Sequence, residues 1–434
     1  MEDVRYFSFQ DLEDILRGAH FYASGGGGAY ENGKQLLEQT VDILHQQGLS
    51  GLAYLEPGKN IPDDIRCPFV GALGAPAKYL SEGFEHAPLR ALRLHEDALG
   101  QQLGDPDLRF AAVSAVETGT IAYGMNMLLA AQQGIPMIDA DGCGRAVPVI
   151  PMLGLAQPVA AAPPLSPIAL VSEQDELEGG AQLVINTRNT HNLSDMLHGI
   201  ITYDDGFDQR SAFSCYAATG ASLNSASPGF IVPGAMSRCL QFGRTLRAHK
   251  ASEQAMVKAV ADLTGGIHLG RLRLLGLDEE TRDGFDYLQV ELLDDRGNRY
   301  RVQVENESLL VLREDLYGQW QPVAMAPDLI CYLCSNGDTI TNAELAAAQA
   351  ECAKQGKPLM LNLFVVPVPE ELNTAHFRQL CMDELAAIGW PQSKIVSPFA
   401  DYPETGNRAS EDAVSGVIGQ PVSPDLVSEQ GALL

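Results

Sequence analysis

The sequence predicts an α/β N-terminal domain, built from parallel strand–helix–strand units, joined to a β-rich domain of barrel or sandwich type. Three observations carry this reading. Phe110 to Asp139 reads as strand, helix, strand; the hydrophobic period changes to two after Gly265; and an Ala/Pro-rich stretch from Ala156 to Pro167 separates the two regimes. The implied organisation is 1–165 for the α/β domain, 166–370 for a mixed and then β-rich domain, and 371–434 for a C-terminal helix and acidic tail.

Each element has its own signal. Ser8, with Asp11 three residues on, starts a helix, and Gly18 reads as its stop. Ser24 and the glycines Gly25, Gly26, Gly27 and Gly28 follow, then a helix over about 34–47 closed by Gly48. Apolar strands are expected at 52–55 and 68–73, and a helix over 85–99. The small apolar run 110–116 reads as a buried strand. Ile121, Met125, Leu128 and Leu129 then recur at helical spacing as far as Gly134, and 135–138 is the next strand. Parallel neighbours need a right-handed crossover of this kind. It sends Glu117 and the segment from Asp139 to Arg145 off the carboxyl ends of adjacent strands, the edge at which open α/β sheets bind ligands.

Beyond the connector comes a Ser/Gly/Ala/Asn-rich segment, 211–227, and then a stretch, 236–263, that reads as helical. Leu288, Val290 and Leu292 alternate with polar neighbours, as do Tyr300, Val302 and Val304; Asp294-Asp295-Arg296-Gly297-Asn298 between them is a hairpin turn. Further strands are expected at 309–312, 329–333 and 358–366. The tail after Asp401 is rich in Ser, Gly, Pro and acidic residues.

Composition bounds the function. The chain has 434 residues, 45% hydrophobic and 20% charged, as in an ordinary globular protein. A net charge of −27 repels nucleic acid and anionic membrane surfaces, so neither is expected as a partner. No apolar run has the length of a membrane span, and the start, Met1 to Arg5, is not a signal peptide. Eight cysteines without framework spacing point to reduced thiols and a cytoplasmic location.

The chemistry concentrates at Ile138-Asp139-Ala140-Asp141-Gly142-Cys143-Gly144-Arg145. Two carboxylates one residue apart share a face of an extended strand. Gly142 and Gly144 permit a sharp turn and close approach of a ligand, and Arg145 can neutralise the carboxylates or grip an anionic or carbonyl group. Glu117 falls one strand away, about 5 Å in the hydrogen-bonding direction. Clustered carboxylates raise one another's pKa, which suits one of them to general acid or base work. Helix capping or a structural tie to Arg145 would use the same aspartates without chemistry. Gly25 to Gly28 before a helix present backbone N–H groups to an anion or carbonyl oxygen, or form a tight turn. They match neither a Walker loop nor a dinucleotide fingerprint, so no nucleotide is expected.

Other features read as structure. Cys143 beside Arg145 has the setting of a thiolate, but a small buried thiol is the favoured reading. Cys331-Tyr332-Leu333-Cys334 lacks a second ligand pair and belongs to an apolar strand. His191 and His198 share a helical face without a third ligand, His268 fits a strand, and Met125 and Met127 are helix packing. An acidic cluster with few histidines would suit Mg²⁺ or Mn²⁺ better than Zn²⁺, and whether any metal is needed stays open at this stage.

Taken together, these segments resemble the S-methyl thiohydantoin desulfurase domain family, whose members often accompany hydantoinase/oxoprolinase-type ring-opening enzymes. The resemblance runs from about Leu12 to about Pro369. It rests on Ser24 to Gly28; Gly74-Ala75-Pro76; Glu117-Thr118-Gly119; Gly134-Ile135-Pro136 leading into Asp139 to Ala146 and Pro148; Ile231-Val232-Pro233-Gly234 with Ser237; Asn306-Glu307; and Pro327-Asp328-Leu329-Ile330. The chain is a divergent member. Thr120 stands where the family resembles a second glycine, Ala122 and Tyr123 where it carries Asn-Ser, Cys143 where Met is usual, and Ala235 where Thr is common.

The resemblance implies hydrolytic processing of a hydantoin-like heterocycle, such as loss of the S-methyl group from S-methyl thiohydantoin. Asp139 or Asp141 would activate water, Glu117, or whichever carboxylate its neighbours keep neutral, would protonate, and Arg145 with Gly25, Gly26, Gly27 and Gly28 would stabilise charge, with Gly142 and Gly144 in the ligand-contacting turn. The alternative is a non-catalytic partner or ligand-binding subunit of a hydantoinase-type enzyme. A homo-oligomer is the base expectation.

Overall fold

The computed structural model describes residues 4–399, except Ala75, Glu176, Glu178, Asp204, Asp208, 226–228, Asp283 and Gly284. The acidic tail, part of the Ser/Gly/Ala/Asn-rich segment, Ala75 of the Gly74-Ala75-Pro76 motif and the His198 side chain expected to pair with His191 lie outside the described residues.

The first sheet is mixed. Its strands are β1 (Arg5–Ser8), β2 (Gly51–Leu55), β3 (Arg66–Gly74), β4 (Val113–Ala115), β5 (Met137–Asp141), β6 (Ile168–Ser172), β7 (Gln182–Ile185), β8 (Arg210–Thr219) and β9 (Val232–Pro233), in the order β1-β2-β5-β4-β3-β8-β6-β7 with β9 against β5. β2, β5, β4 and β3 are mutually parallel; the other pairings are antiparallel. The helices of this half are α1 (Phe9–Tyr22), α2 (Tyr30–Gln46), α3 (Pro76–Glu82), α4 (Ala87–Leu103), α5 (Thr120–Gln133), α6 (Thr190–Tyr203), α7 (Gly220–Leu223), α8 (Ala235–His249) and α9 (Glu253–Thr264). β4, α5 and β5 form the expected strand–helix–strand unit. The segment 156–167 connects two parts of this one sheet, since β6, β7 and β8 follow it and join β3.

The second sheet is wholly antiparallel. It comprises β10 (Ile267–Arg282), β11 (Phe285–Asp294), β12 (Arg299–Glu305), β13 (Glu307–Glu314), β14 (Trp320–Met325), β15 (Leu329–Cys334), β16 (Thr339–Ile340) and β17 (Met360–Val366), in the order β14-β13-β12-β11-β10-β17-β15-β16. α10 (Leu345–Lys354) and α11 (Ala375–Ala387) complete the described elements. This is one open sheet rather than the closed barrel expected as one alternative. Alternating hydrophobicity identifies strands with one buried face, but it does not report how a sheet closes. The β11–β12 turn is the expected one: Asp294 takes the N–H groups of Arg296 at 2.9 Å and Asn298 at 2.8 Å.

Two helix expectations need correction. Ser8 caps α1 as foreseen, its hydroxyl accepting the Asp11 N–H while the Asp11 carboxylate accepts the Ser8 N–H. Gly18, however, does not stop the helix. It lies inside α1 where α8 crosses: a Cβ there would fall 2.1 Å from the Cys239 carbonyl oxygen, and one on Gly243 would fall 2.2 Å from that of Asp14. Glycine is placed here for backbone approach, not termination. The single helix expected over 236–263 is two, because Ser252 takes an extended conformation and its hydroxyl accepts the Ala255 N–H to begin α9. No described helix is long and apolar enough to cross a membrane.

The crossing generates a prediction. Gly18→Ala forces a methyl into the α8 backbone and is expected to cost about 3 kcal/mol in urea unfolding. Gly199→Ala, at a helical site with nothing within 4 Å of the added carbon, is expected to be neutral or stabilising by up to about 1 kcal/mol.

Candidate active site

β4 and β5 lie side by side with Ala115 opposite Asp141, so the loops that follow them leave one edge of the sheet. Asp139 and Asp141 are both within β5, two apart, and each meets a different helix. Asp139 receives the Ser237 N–H at 2.9 Å and the Ser237 hydroxyl, while its own carbonyl accepts the Gly234 N–H at 2.7 Å. It therefore caps the N-terminus of α8. Burial raises its carboxyl; the Ser237 hydrogen bonds only partly offset that, and it stays above its ordinary value.

Asp141 is fully buried and accepts from four donors: the Thr118 hydroxyl, the Tyr123 hydroxyl at 2.6 Å, and the N–H groups of Cys143 at 3.0 Å and Gly144. Four donors fill the acceptor capacity of a carboxylate. Asp141 thus pins the turn that carries Arg145, and a base role would require one of these bonds to open. Gly142 and Gly144 serve the same turn: a Cβ on Gly142 would fall 2.4 Å from the Val116 carbonyl oxygen, and Gly144 adopts φ 67° against Val232 and Pro369.

Arg145 has no solvent exposure. Its Nε donates to the Ala146 carbonyl at 3.0 Å, and its Nη1 to the carbonyls of Pro327 at 3.0 Å and Asp328 at 3.3 Å, while Nη2 has no partner among the described residues. Glu117 accepts the Val147 N–H at 3.0 Å. Burial raises its carboxyl, the Val147 bond and the Arg145 charge lower it, Asp141 raises it further, and it ends above the usual carboxylate range. Glu307, first residue of β13, comes from the other sheet. It is buried, its Oε2 is unpartnered, and burial together with the Glu117 and Glu305 charges pushes it well above its ordinary value against the pull of Arg145.

The glycine-rich loop closes over this cluster. A Cβ on Gly26 would fall 1.9 Å from Glu307 Oε1, and one on Gly27 would fall 2.7 Å from Gly119 Cα. The carbonyls of Ser24, Gly25, Gly27 and Gly28 are occupied. Ser308 and Asn342 donate their N–H groups to Ser24 and Gly25 at 2.8 Å, Ile121 donates its N–H to Gly27, and the Thr120 hydroxyl reaches the carbonyls of Gly27, Gly28 and Ala29. The Gly27 and Gly28 N–H groups have no acceptor among the described residues. Gly26, Gly27, Gly28, Glu117, Val147 and Asn306 keep part of their surface exposed, which makes this the open side of the cluster.

The order of these pieces decides the family. Residues 10–178 match the S-Me-THD-like N-terminal domain and residues 191–350 the S-Me-THD-like C-terminal domain. The chain belongs to the S-Me-THD-like family. It is also similar to a crystal structure of a protein from Chromobacterium violaceum solved by the Northeast Structural Genomics Consortium, with 26% sequence identity and a TM-score of 0.69 over 90% of this chain and 99% of that one. No curated protein matches.

Within this S-Me-THD-like chain, the structure gathers Glu117, Arg145 and the glycine loop, places Asp141 behind them as a support, and turns Asp139 away to α8. Sequence reasoning did not name Glu307 as a site residue, although Asn306-Glu307 is among the stretches that carry the family resemblance. Cys143 is fully buried; burial pushes its thiol well above the ordinary value, the Arg145 charge opposing, so it is a packed thiol rather than a thiolate. Cys331 and Cys334 lie in β15, and His268 lies in β10 with its ring 3.0 Å from the Asn362 side chain. All eight cysteines are unpaired. Among the described residues, no group of three or more His, Cys, Asp or Glu side chains is placed to share a metal ion.

The raised carboxyls fix the sign of a pH effect. A carboxyl whose folded pKa exceeds its unfolded value imposes no penalty below the unfolded pKa, and its penalty grows as pH rises towards the folded pKa. Glu117→Gln is therefore expected to gain stability over the parent protein between pH 5 and pH 8, by up to about 1.4 kcal/mol per pH unit, with no gain at pH 4. Thermal unfolding at a series of pH values checks this; a constant offset would refute it.

Proposed function

We propose that the protein hydrolyses an S-methylated, hydantoin-like ring, releasing methanethiol. The observation that carries this reading is the pairing of two buried carboxyls held above their ordinary values, Glu117 and Glu307, beside a buried arginine whose Nη2 has no partner among the described residues. Family membership supports the substrate class.

The reaction needs three services. Water must add to the ring carbon that carries the methylthio group, the carbon–sulfur bond must break, and the departing sulfur must gain a proton. One water is consumed, a ring carbonyl forms and methanethiol leaves. Two buried carboxyls in one charge field titrate as a pair, one holding a proton while the other is ionised. Glu307, pushed well above its ordinary value, is the proton donor in this reading, and ionised Glu117, on the open side, accepts the proton of the attacking water. Negative charge developing on the ring as water adds is met by Arg145 Nη2 and the Gly27 and Gly28 N–H groups. Asp141 and Asp139, assigned to water activation from the sequence, become supports here, because their oxygens already hold protein donors.

The test is headspace methanethiol from S-methyl thiohydantoin with the purified chain, with and without Mg²⁺ or Mn²⁺. Release is expected without added metal, with a bell-shaped pH dependence, and Glu117→Gln and Glu307→Gln are each expected to lower it about 100-fold or more. Release that requires added metal would assign the carboxyls as ligands instead. No release under any condition would overturn the reading. A stoichiometric hydantoinase-type protein captured from the host would then favour a partner subunit.

A further inference from the structure

We infer that Glu344 is a positioning residue that clips the two ends of the glycine-rich loop together and so holds the loop's N–H groups over Glu307. This rests on the reading of the loop given under the proposed function.

Seven residues, Ala23 to Ala29, join α1 to α2, four of them consecutive glycines, and fixing such a glycine run carries a high conformational-entropy cost. Ser24, Gly25, Gly27 and Gly28 all have positive φ. Something outside the loop must hold that shape. Glu344 does so from both sides. Its Oε2 lies 2.8 Å from Nε2 of His20, on the last turn of α1 and fully buried, and its Oε1 accepts the N–H of Tyr30, the first residue of α2, at 3.1 Å. His20 is fixed in turn by a 2.7 Å contact from Nδ1 to the Thr339 hydroxyl. Glu344 is anchored to its own turn by the Thr341 N–H and hydroxyl, both at 2.9 Å.

The same turn supports the opposite wall. Asn342 donates its N–H to the Gly25 carbonyl and its side-chain Nδ2 to the carbonyl of Asn306, the residue before Glu307, while accepting from the Ser308 hydroxyl. One short segment, Thr339 to Glu344, therefore sets the glycine loop and Glu307 relative to each other. Burial raises the Glu344 carboxyl, but the His20 contact and the Thr341 donors outweigh it and bring it down to about 2, so it stays ionised as an acceptor. None of its partners is a reacting group, which separates positioning from catalysis.

The experiment compares Glu344→Ala, Glu344→Gln and, as a destabilised control in the β11–β12 turn, Asp294→Ala, by amide hydrogen exchange and methanethiol kinetics. In Glu344→Ala, exchange over residues 24–30 is expected to rise at least tenfold with β10 to β12 unchanged, and kcat to fall at least tenfold with KM within twofold. Glu344→Gln keeps an acceptor for the Tyr30 N–H, so it is expected to recover part of both; it also carries the test if the alanine variant does not fold. Unchanged exchange over 24–30, or a rise no larger than in Asp294→Ala, would overturn the clip. Faster exchange with unaltered kcat would overturn its role in positioning. If the parent protein releases no methanethiol, the exchange result still decides the clip, and the failure belongs to the proposed reaction alone.

Discussion

A guanidinium removed from water must find its hydrogen bonds in protein, and Arg145 finds them on both halves of the molecule. Its Nε and Nη1 engage the carbonyl of Ala146 after β5 of the first sheet and those of Pro327 and Asp328 before β15 of the second. Desolvating such a charge costs several kcal/mol unless it is compensated, so the two halves cannot separate here without stranding it. Its charge also sets the local electrostatics. It lowers Glu117 and Glu307 while their burial raises them, and the balance leaves both carboxyls above their ordinary values. Its remaining donor, Nη2, has no partner among the described residues.

Asp141 makes that arrangement rigid. A carboxylate with four donors joins the end of β5, the β4 loop through Thr118, α5 through Tyr123, and the turn itself through Cys143 and Gly144. Because its lone pairs are committed, its contribution is geometric: it fixes where Arg145 begins. The division of labour follows from access. Carboxyls with committed oxygens hold the scaffold, while Glu307, whose Oε2 has no partner among the described residues, and the partly exposed Glu117 lie in the field of Arg145.

Much of this was legible in the sequence where one element carries its own signal. The apolar spacing of α5 between two short apolar runs reads as the parallel unit, and parallel strands force their following loops, with Glu117 and Arg145, to one edge of the sheet. What a single element does not carry was hidden. Glu307 begins a strand of the second sheet and reads there as an ordinary polar position; only the packing of Gly26 against it brings it to Glu117. Gly18 carried a stop signal by type, yet its role is set by α8, far along the chain. Asp139 and Asp141 looked equivalent because strand periodicity is blind to the helices their side chains meet.

The positions at which the chain departs from its family support the same geometry. Thr120, where a second glycine is expected, sends its hydroxyl to three successive carbonyls of the glycine loop, and Tyr123, where a small polar residue is expected, donates to Asp141. Both departures add hydrogen bonds at the two points that fix the site, the loop and the carboxylate behind the arginine. Here the substituted residues are satisfied and tie α5 to both walls, so the divergence remodels the support of the site while leaving Glu117, Arg145 and Glu307 facing one another.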